Sequence, residues 1–371
     1  MIGRVTRPVQ IGLEGSMSLR NRSAVATVAC AVLAFAAALT AGQSPAPAVS
    51  GKPGVIDTGA FTPFVENMDK SLAFYHEVFG MEVPPMPESG GRPYNNPNPR
   101  LFAMFDIPGA KERHQSARVA GIRTPLEAME VQQVDHKTIA LRVQDPGAAT
   151  LVLVVRDVDA TLASVTKANL PVVTTGGKPV TFADGTRAVV VRDIDNRFIE
   201  IRQPSSIPST APAGNIVDIR VSIAVNDMDR TKQIYRDVFG FKVEGETSFA
   251  ADKSTQALTG LSQAEVRRSR AQAKNSALWL EFVEYKGVDR KPLRMRIQDR
   301  GAARLQLRTQ GIDEVVKAVK SAGLTVVSQG AVAVPIPPNF RGALVADPNN
   351  FFVSLFEPCD GCAPRILPST N

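Results

Sequence analysis

Few side chains in this 371-residue chain can do metal or redox chemistry. There are three His (His76, His114 and His136) and three Cys (Cys30, Cys359 and Cys362). Three Cys exclude a disulfide-dense scaffold, and three His exclude a His-rich metal store. Cys359-Asp-Gly-Cys362 reads as a short disulfide loop, because a zinc or redox role lacks a second Cys pair or a nearby His. The chain has no Gly-rich phosphate loop with its Lys and no Ser nucleophile elbow. It also lacks the basic and aromatic interleaving of a nucleic-acid surface. A formal charge of +7, from 43 Lys and Arg against 36 Asp and Glu, suggests an anionic partner.

Part of that charge belongs to the N-terminus. From Met17, Arg20 and Arg22 precede an uncharged, Ala-rich run from Ala24 to Leu39. Small residues follow at Thr40, Ala41 and Gly42. This is the anatomy of a secretory signal peptide. The run is too short and too Ala-rich for a stable spanning helix, the rival reading. Residues 1–44 are therefore expected to be a signal, with Met17 as the cleaner start, and the mature protein to be periplasmic or secreted.

The candidate chemistry must be positioned by a long internal repeat. Leu126-Glu127-Ala-Met-Glu130 recurs as Leu280-Glu281-Phe-Val-Glu284. Gln144-Asp145-Pro-Gly147-Ala148-Ala149 recurs as Gln298-Asp299-Arg-Gly301-Ala302-Ala303. The offset is 154 in both. Asn67-Met68-Asp69 through Tyr75 to Gly80 matches Asp227-Met228-Asp229 through Tyr235 to Gly240, at offset 160. The difference falls in Pro84–Pro99, a Pro/Gly/Asn-rich loop. The boundaries follow as 45–56 linker, 57–204 first domain, 205–215 linker, 216–358 second domain and 359–371 tail. Each half reads as two units of strand, helix and three strands. Asp69, Asp159 and Asp229 are expected to cap their helices. Ser262-Gln-Ala-Glu265 fits a capping box before a basic helical turn. Each His aligns with a cation of the other half (Arg236, Arg268 and Arg290), so all three read as solvated basic positions.

The Asn/Asp-Met-Asp segment running to Val-Phe-Gly resembles the opening of the vicinal oxygen chelate superfamily, which includes glyoxalase I, extradiol dioxygenases and bleomycin-resistance proteins. The Gly-Ala-Ala strand with its Asp-Val-Asp turn strengthens the match. So do the endings Asp193–Phe198 and Asp347–Phe352. The resemblance covers nearly all of residues 57–358. It implies an α+β fold of four βαβββ modules, making two glyoxalase-like domains with U-shaped mixed, largely antiparallel sheets. It also implies a divalent metal in each cup, held by first and last strands that leave positions open for substrate.

Carried over, the metal positions of the first half are Ala60, Glu127, Thr150 and Glu200. Those of the second half are Arg220, Glu281, Arg304 and Ser354. None is His. An Arg220–Glu281–Arg304 cluster is expected in place of a metal in the second half, its net +1 orienting an anionic ligand, with Trp279 on the Glu281 face of its strand as a further ligand-binding residue. Glu127 and Glu200 are the candidate catalytic groups, as weak ligands for a hard cation or as a general acid or base. The expected function is binding of a small, anionic molecule in a sheet cup with degenerate metal sites and no cofactor. A metal-dependent lyase or ring-cleaving dioxygenase with a carboxylate-based site is the alternative, and a structural or interaction module a second. The expected partner is a small molecule, with no nucleic acid, no membrane after signal cleavage, and a monomer of paired domains or a homodimer.

Overall fold

Alternating burial along the strands forces one side of each sheet inward, and the repeat supplies that pattern four times. A computed structural model describes residues 52–94, 99–336 and 339–359. The signal and Met17 lie outside the described residues, as does Cys362; Cys359 is disulfide-bonded. Among the described residues no helix is long and apolar enough to cross a membrane.

Module one comprises β1 (Gly54–Pro63), α1 (Met68–Phe79), α2 (Pro99–Phe105), β2 (Lys111–Ala117) and β3 (Leu126–Gln132). Module two comprises β4 (Ala149–Val155), α3 (Val158–Lys167), β5 (Val180–Thr181), β6 (Arg187–Arg192) and β7 (Phe198–Gln203). Module three runs through β8 (Ile216–Val225), α4 (Met228–Asp237), β9 (Lys242–Gly245), β10 (Ala250–Ala251), α5 (Lys253–Thr259), β11 (Glu265–Gln272) and β12 (Leu280–Lys286). Module four runs through β13 (Ala303–Gln310), α6 (Ile312–Ser321), β14 (Thr325–Val326), β15 (Val334–Ile336), β16 (Phe340–Ala346) and β17 (Phe352–Pro358). The fold is α+β, as expected. In module one the strand after the helix shrinks to a bridge between Glu82 and Arg118. Residues 84–94 carry no helix or strand.

Within each module the first and last strands pair in parallel (β1–β3, β4–β7, β8–β12 and β13–β17). Modules then join through antiparallel first strands, but not in chain order. β1 pairs with β13, and β4 pairs with β8. The strand orders are β14-β16-β17-β13-β1-β3-β2 and β10-β11-β12-β8-β4-β7-β6-β5. Modules one and four thus build one cup, and modules two and three the other. The four-residue sets expected to share a cup are therefore split between the two sheets.

The repeated Gln-Asp-x-Gly-Ala-Ala segments lock this exchange. Asp145 accepts from the Lys291 amide at 2.8 Å, and Asp299 from the Lys137 amide at 2.9 Å. Arg142 joins Asp145 to Asp289, and Arg296 joins Asp299 to Asp135. Gly147 has φ +95°, and a Cβ there would stand 2.5 Å from the Asn349 carbonyl oxygen. Only glycine fits where the two halves cross that closely.

The helix caps sit two residues upstream of the expected ones. Asn67, Asp157 and Asp227 accept the Lys70, Ala160 and Arg230 amides at 3.0, 2.9 and 2.9 Å. Burial of Met68, Val158 and Met228 in the core draws each helix start back. Asp69, Asp159 and Asp229 then fall in the first turn, favourable to the helix dipole. The expected capping box also fails. Glu265 opens β11, whose Val266, Ser269 and Ala271 are buried and which pairs with β12 and β9 on its two edges. Tyr75 and Tyr235 pack in the core as expected. Their hydroxyls donate to Asp193 at 3.0 Å and Asp347 at 3.3 Å, tying each first helix to the hairpin turn of the next module.

Candidate functional site

The first cup is lined by alternate residues of β1, β2, β3, β13 and β17. Thr62 stands opposite Arg304 across β1–β13, and Ser116 opposite Glu127 across β2–β3. Arg304 is buried. Its Nη1 lies 3.0 Å from Ser354 Oγ and its Nη2 3.1 Å from Glu127 Oε2, while Nε has no partner. The guanidinium sits 5.2 Å from the Phe105 ring centre and 5.8 Å from that of Phe356. Burial lowers its pKa, and Glu127 and Glu112 oppose that shift.

Glu127 Oε2 is saturated. Thr62 Oγ1 donates to it at 2.9 Å and Gln306 Nε2 at 2.8 Å, in addition to Arg304. Oε1 accepts nothing from the described residues. Glu127 lies in the wall of a pocket of about 320 Å³, with Ala60, Ser116, Gln306, Arg118, Arg123 and Arg308. Arg123 is held by Asp57 at 2.9 Å. Arg118 and Arg308 are exposed, and their guanidinium groups form no ion pair or hydrogen bond with the described residues. Thr58 and Ser276 bond each other, and the Asn275 amide donates to the Ile56 carbonyl, so the β11–β12 loop roofs the pocket.

The second cup carries a different solution. Arg202 forks onto Glu281 with bonds of 2.7 and 2.8 Å, and its Nε reaches Glu200 at 2.6 Å. Arg220 lies 3.2 Å from Glu281 and 2.8 Å from Asp218. Against the burial of Glu281, the Arg202 guanidinium and then Arg220 bring its pKa down to about 2. Glu200 and Glu281 raise that of Arg202 further above its ordinary value. Thr150 is buried on β4. Trp279 is half-buried and takes Arg270 over its ring at 4.4 Å.

The expected Arg220–Glu281–Arg304 cluster is therefore corrected. Glu281 meets Arg220 but not Arg304, which crosses the pseudo-twofold to meet Glu127. The expected pairing of Glu127 with Glu200 is corrected for the same reason, since they lie on separate sheets. Arg202, Gln306 and Arg308 were not anticipated, yet Glu200-x-Arg202 and Arg304-x-Gln306-x-Arg308 carry the period of a single strand face. His114 is exposed, as expected, and shares its face of β2 with Glu112 and Ser116. Glu112 Oε2 lies 2.9 Å from its Nδ1 and raises its pKa. His76 and His136 contact only the Met81 and Val134 carbonyls.

The model for the Glyoxalase/Bleomycin resistance protein/Dioxygenase superfamily matches residues 59–201 and again 219–351. The chain belongs to this superfamily. Among solved structures, glyoxalase I from Zea mays is similar at 15 % identity, with 82 % of this chain and 92 % of that chain covered and a TM-score of 0.51. A putative dioxygenase from Bacillus subtilis subsp. subtilis str. 168 is similar at 13 % identity, covering 84 % and 87 %, with a TM-score of 0.51. At these identities the likeness concerns the fold. No curated protein matches the sequence.

The superfamily's metal can be tested against the residues present. As folded, the equivalent positions are Ala60, Glu127, Arg304 and Ser354 in one cup, and Thr150, Glu200, Arg220 and Glu281 in the other. Neither set fits a divalent cation. Imidazole is missing from both, and a permanent guanidinium charge stands where a metal's charge would stand. Among the described residues no group of three His, Cys, Asp or Glu is placed to hold a metal.

The second cup generates a pH prediction. Glu281 is lowered from 4.5 to about 2 on folding, so its stabilisation is complete above pH 4.5 and is lost as pH falls towards 2. Arg202→Ala should cost about 3 kcal/mol at neutral pH, by leaving Glu200 without its cation and Glu281 with Arg220 alone, and should flatten the loss of stability below pH 4.5. Denaturant unfolding at a series of pH values checks both, and superimposable curves for the two proteins would contradict the assignment.

Proposed function

We propose that the protein binds a small anionic molecule in the pocket of the first cup, without a divalent metal in either cup. One observation carries this reading. The exposed guanidinium groups of Arg118 and Arg308 border a pocket of about 320 Å³ and have no acidic partner among the described residues. Arginine pairs bidentately with carboxylate or phosphate, and a concave wall keeps such a ligand from sharing its charge with bulk water. In the second cup Arg202 and Arg220 are paired with Glu200, Glu281 and Asp218, Arg270 with Glu244, and Arg268 donates to the Thr255 hydroxyl. The lyase or dioxygenase alternative built on Glu127 and Glu200 loses its joint site with the separation of those residues onto two sheets.

We also propose that the protein works outside the cytoplasm. The basic, apolar and small-residue succession from Arg20 to Gly42 supports export, and the disulfide at Cys359 fits an oxidising compartment.

Two measurements test these readings. Titration with pentanoate, followed by amide chemical shifts, should give saturable shifts at Ser116 and Gln306, unchanged by a chelator. The double variant Arg118→Ala/Arg308→Ala should weaken the affinity at least about tenfold, as expected when charge-assisted bonds are removed. Equal affinity in the variant, or binding lost with the chelator, contradicts the proposal. For export, the intact mass of protein recovered from the periplasm or medium should correspond to removal of residues up to about 44; a full-length cytoplasmic product contradicts it.

A further inference from the structure

The pocket has two ends of opposite hydrogen-bonding character, and this constrains the ligand beyond its charge. Resting on the reading that an anion enters at Arg118 and Arg308, we infer that the natural ligand also carries a neutral hydrogen-bond donor at its other end, as a hydroxy acid does, and that Glu127 Oε1 receives that donor. Three observations combine. Thr62, Gln306 and Arg304 all donate to Oε2, which fixes the carboxylate plane. Oε1 takes no bond from the described residues, although Glu127 lines the pocket. Ser116 stands directly opposite Glu127, and its hydroxyl forms no hydrogen bond with the described residues.

A ligand presenting only acceptors would set an oxygen against Oε1 and leave that carboxylate oxygen desolvated and unpaired. A hydroxyl answers both neighbours, donating to Oε1 and accepting from Ser116. An ammonium fits less well. The charge of Glu127 is already balanced by the buried Arg304, and a second cation would face that guanidinium.

Strand geometry sets the length. Arg308 lies four residues beyond Arg304, which stands level with Glu127, and borders the far end of the pocket. Arg118 lies two residues beyond Ser116, the partner of Glu127, so a carboxylate on Arg118 and the donor end are separated by about 7 Å along the strands. That span suits a donor some three carbons from a carboxylate.

The test uses three probes of one shape on the mature protein: 4-hydroxypentanoate, 4-oxopentanoate and 4-methylpentanoate. Each keeps the carboxylate, and only the group near Glu127 changes from donor to acceptor to neither. In the unmodified protein the hydroxy acid should bind about tenfold more tightly than the other two, the worth of one buried hydrogen bond. Glu127→Gln sharpens the result. Its amide oxygen must take the Oε2 place, where three donors converge, so its NH₂ faces the pocket. The order should then reverse in favour of 4-oxopentanoate. Equal affinity of all three probes in the unmodified protein overturns the donor assignment while leaving anion binding intact. If none of the three binds, the pocket reading itself fails. A retained preference for the hydroxy acid in a folded Glu127→Gln protein also overturns the role of Oε1. The wild-type ranking stands as a test whether or not that variant folds.

Discussion

The antiparallel pairing of β1 with β13, mirrored by β4 with β8, is the constraint from which the rest of the molecule follows. A βαβββ module on its own leaves its first strand with an unsatisfied edge, in the middle of what must become a sheet. Here each such edge is closed by a module of the other sequence half. Residues of each cup consequently meet across long stretches of chain, 79 positions for Arg202 with Glu281 and 244 for Gln306 with Thr62. The meeting of Glu127 with Arg304, 177 residues apart, exists only because of that exchange.

Charge explains how each cup tolerates buried carboxylates. Taking a carboxylate out of water is costly unless a cation or several donors meet it. The first cup meets Glu127 with one buried guanidinium and two neutral donors. That satisfies a single oxygen and leaves room beside it. The second cup meets Glu281 and Glu200 with the forked Arg202 and with Arg220, and so spends its charge internally. One duplicated fold thus yields an open polar pocket on one side and a closed ionic network on the other. Phe356 stands at the repeat position of Arg202, and Ser354 at that of Glu200. Those two exchanges remove the counterparts of Glu200 and Arg202 from the first cup.

Much of the fold was legible in the sequence because it rests on local patterns that occur twice. The repeat, the α+β class and the strand and helix succession all follow from periodicity and spacing. Module partnership did not, and the reason is physical. Offset-related modules carry the same burial alternation, so β1 is equally suited to pair with β4 or with β13. The choice is made by the Asp145 and Asp299 latches, whose residues stand out as a repeat but whose partners do not. Caps were misread by two residues because an Asn or Asp stands both before and after the buried Met or Val, and core burial decides between them. The strand β11 was misread because a short capping pattern was weighed above the alternation that follows it. His114 was read as solvated because its repeat partner is an arginine, and it is exposed on its strand.

Which strand closes β1 can be measured directly in the full-length protein by trapping paired positions as disulfides. Phe61 faces Leu305 across β1–β13, and Leu151 on β4 is the repeat counterpart of Leu305. The Phe61→Cys/Leu305→Cys protein should form an intramolecular disulfide, read by peptide mass after proteolysis, and the Phe61→Cys/Leu151→Cys protein should not. A disulfide formed in the second protein and not in the first would contradict the pairing of β1 with β13, and with it the composite site of Glu127, Arg304 and Arg308.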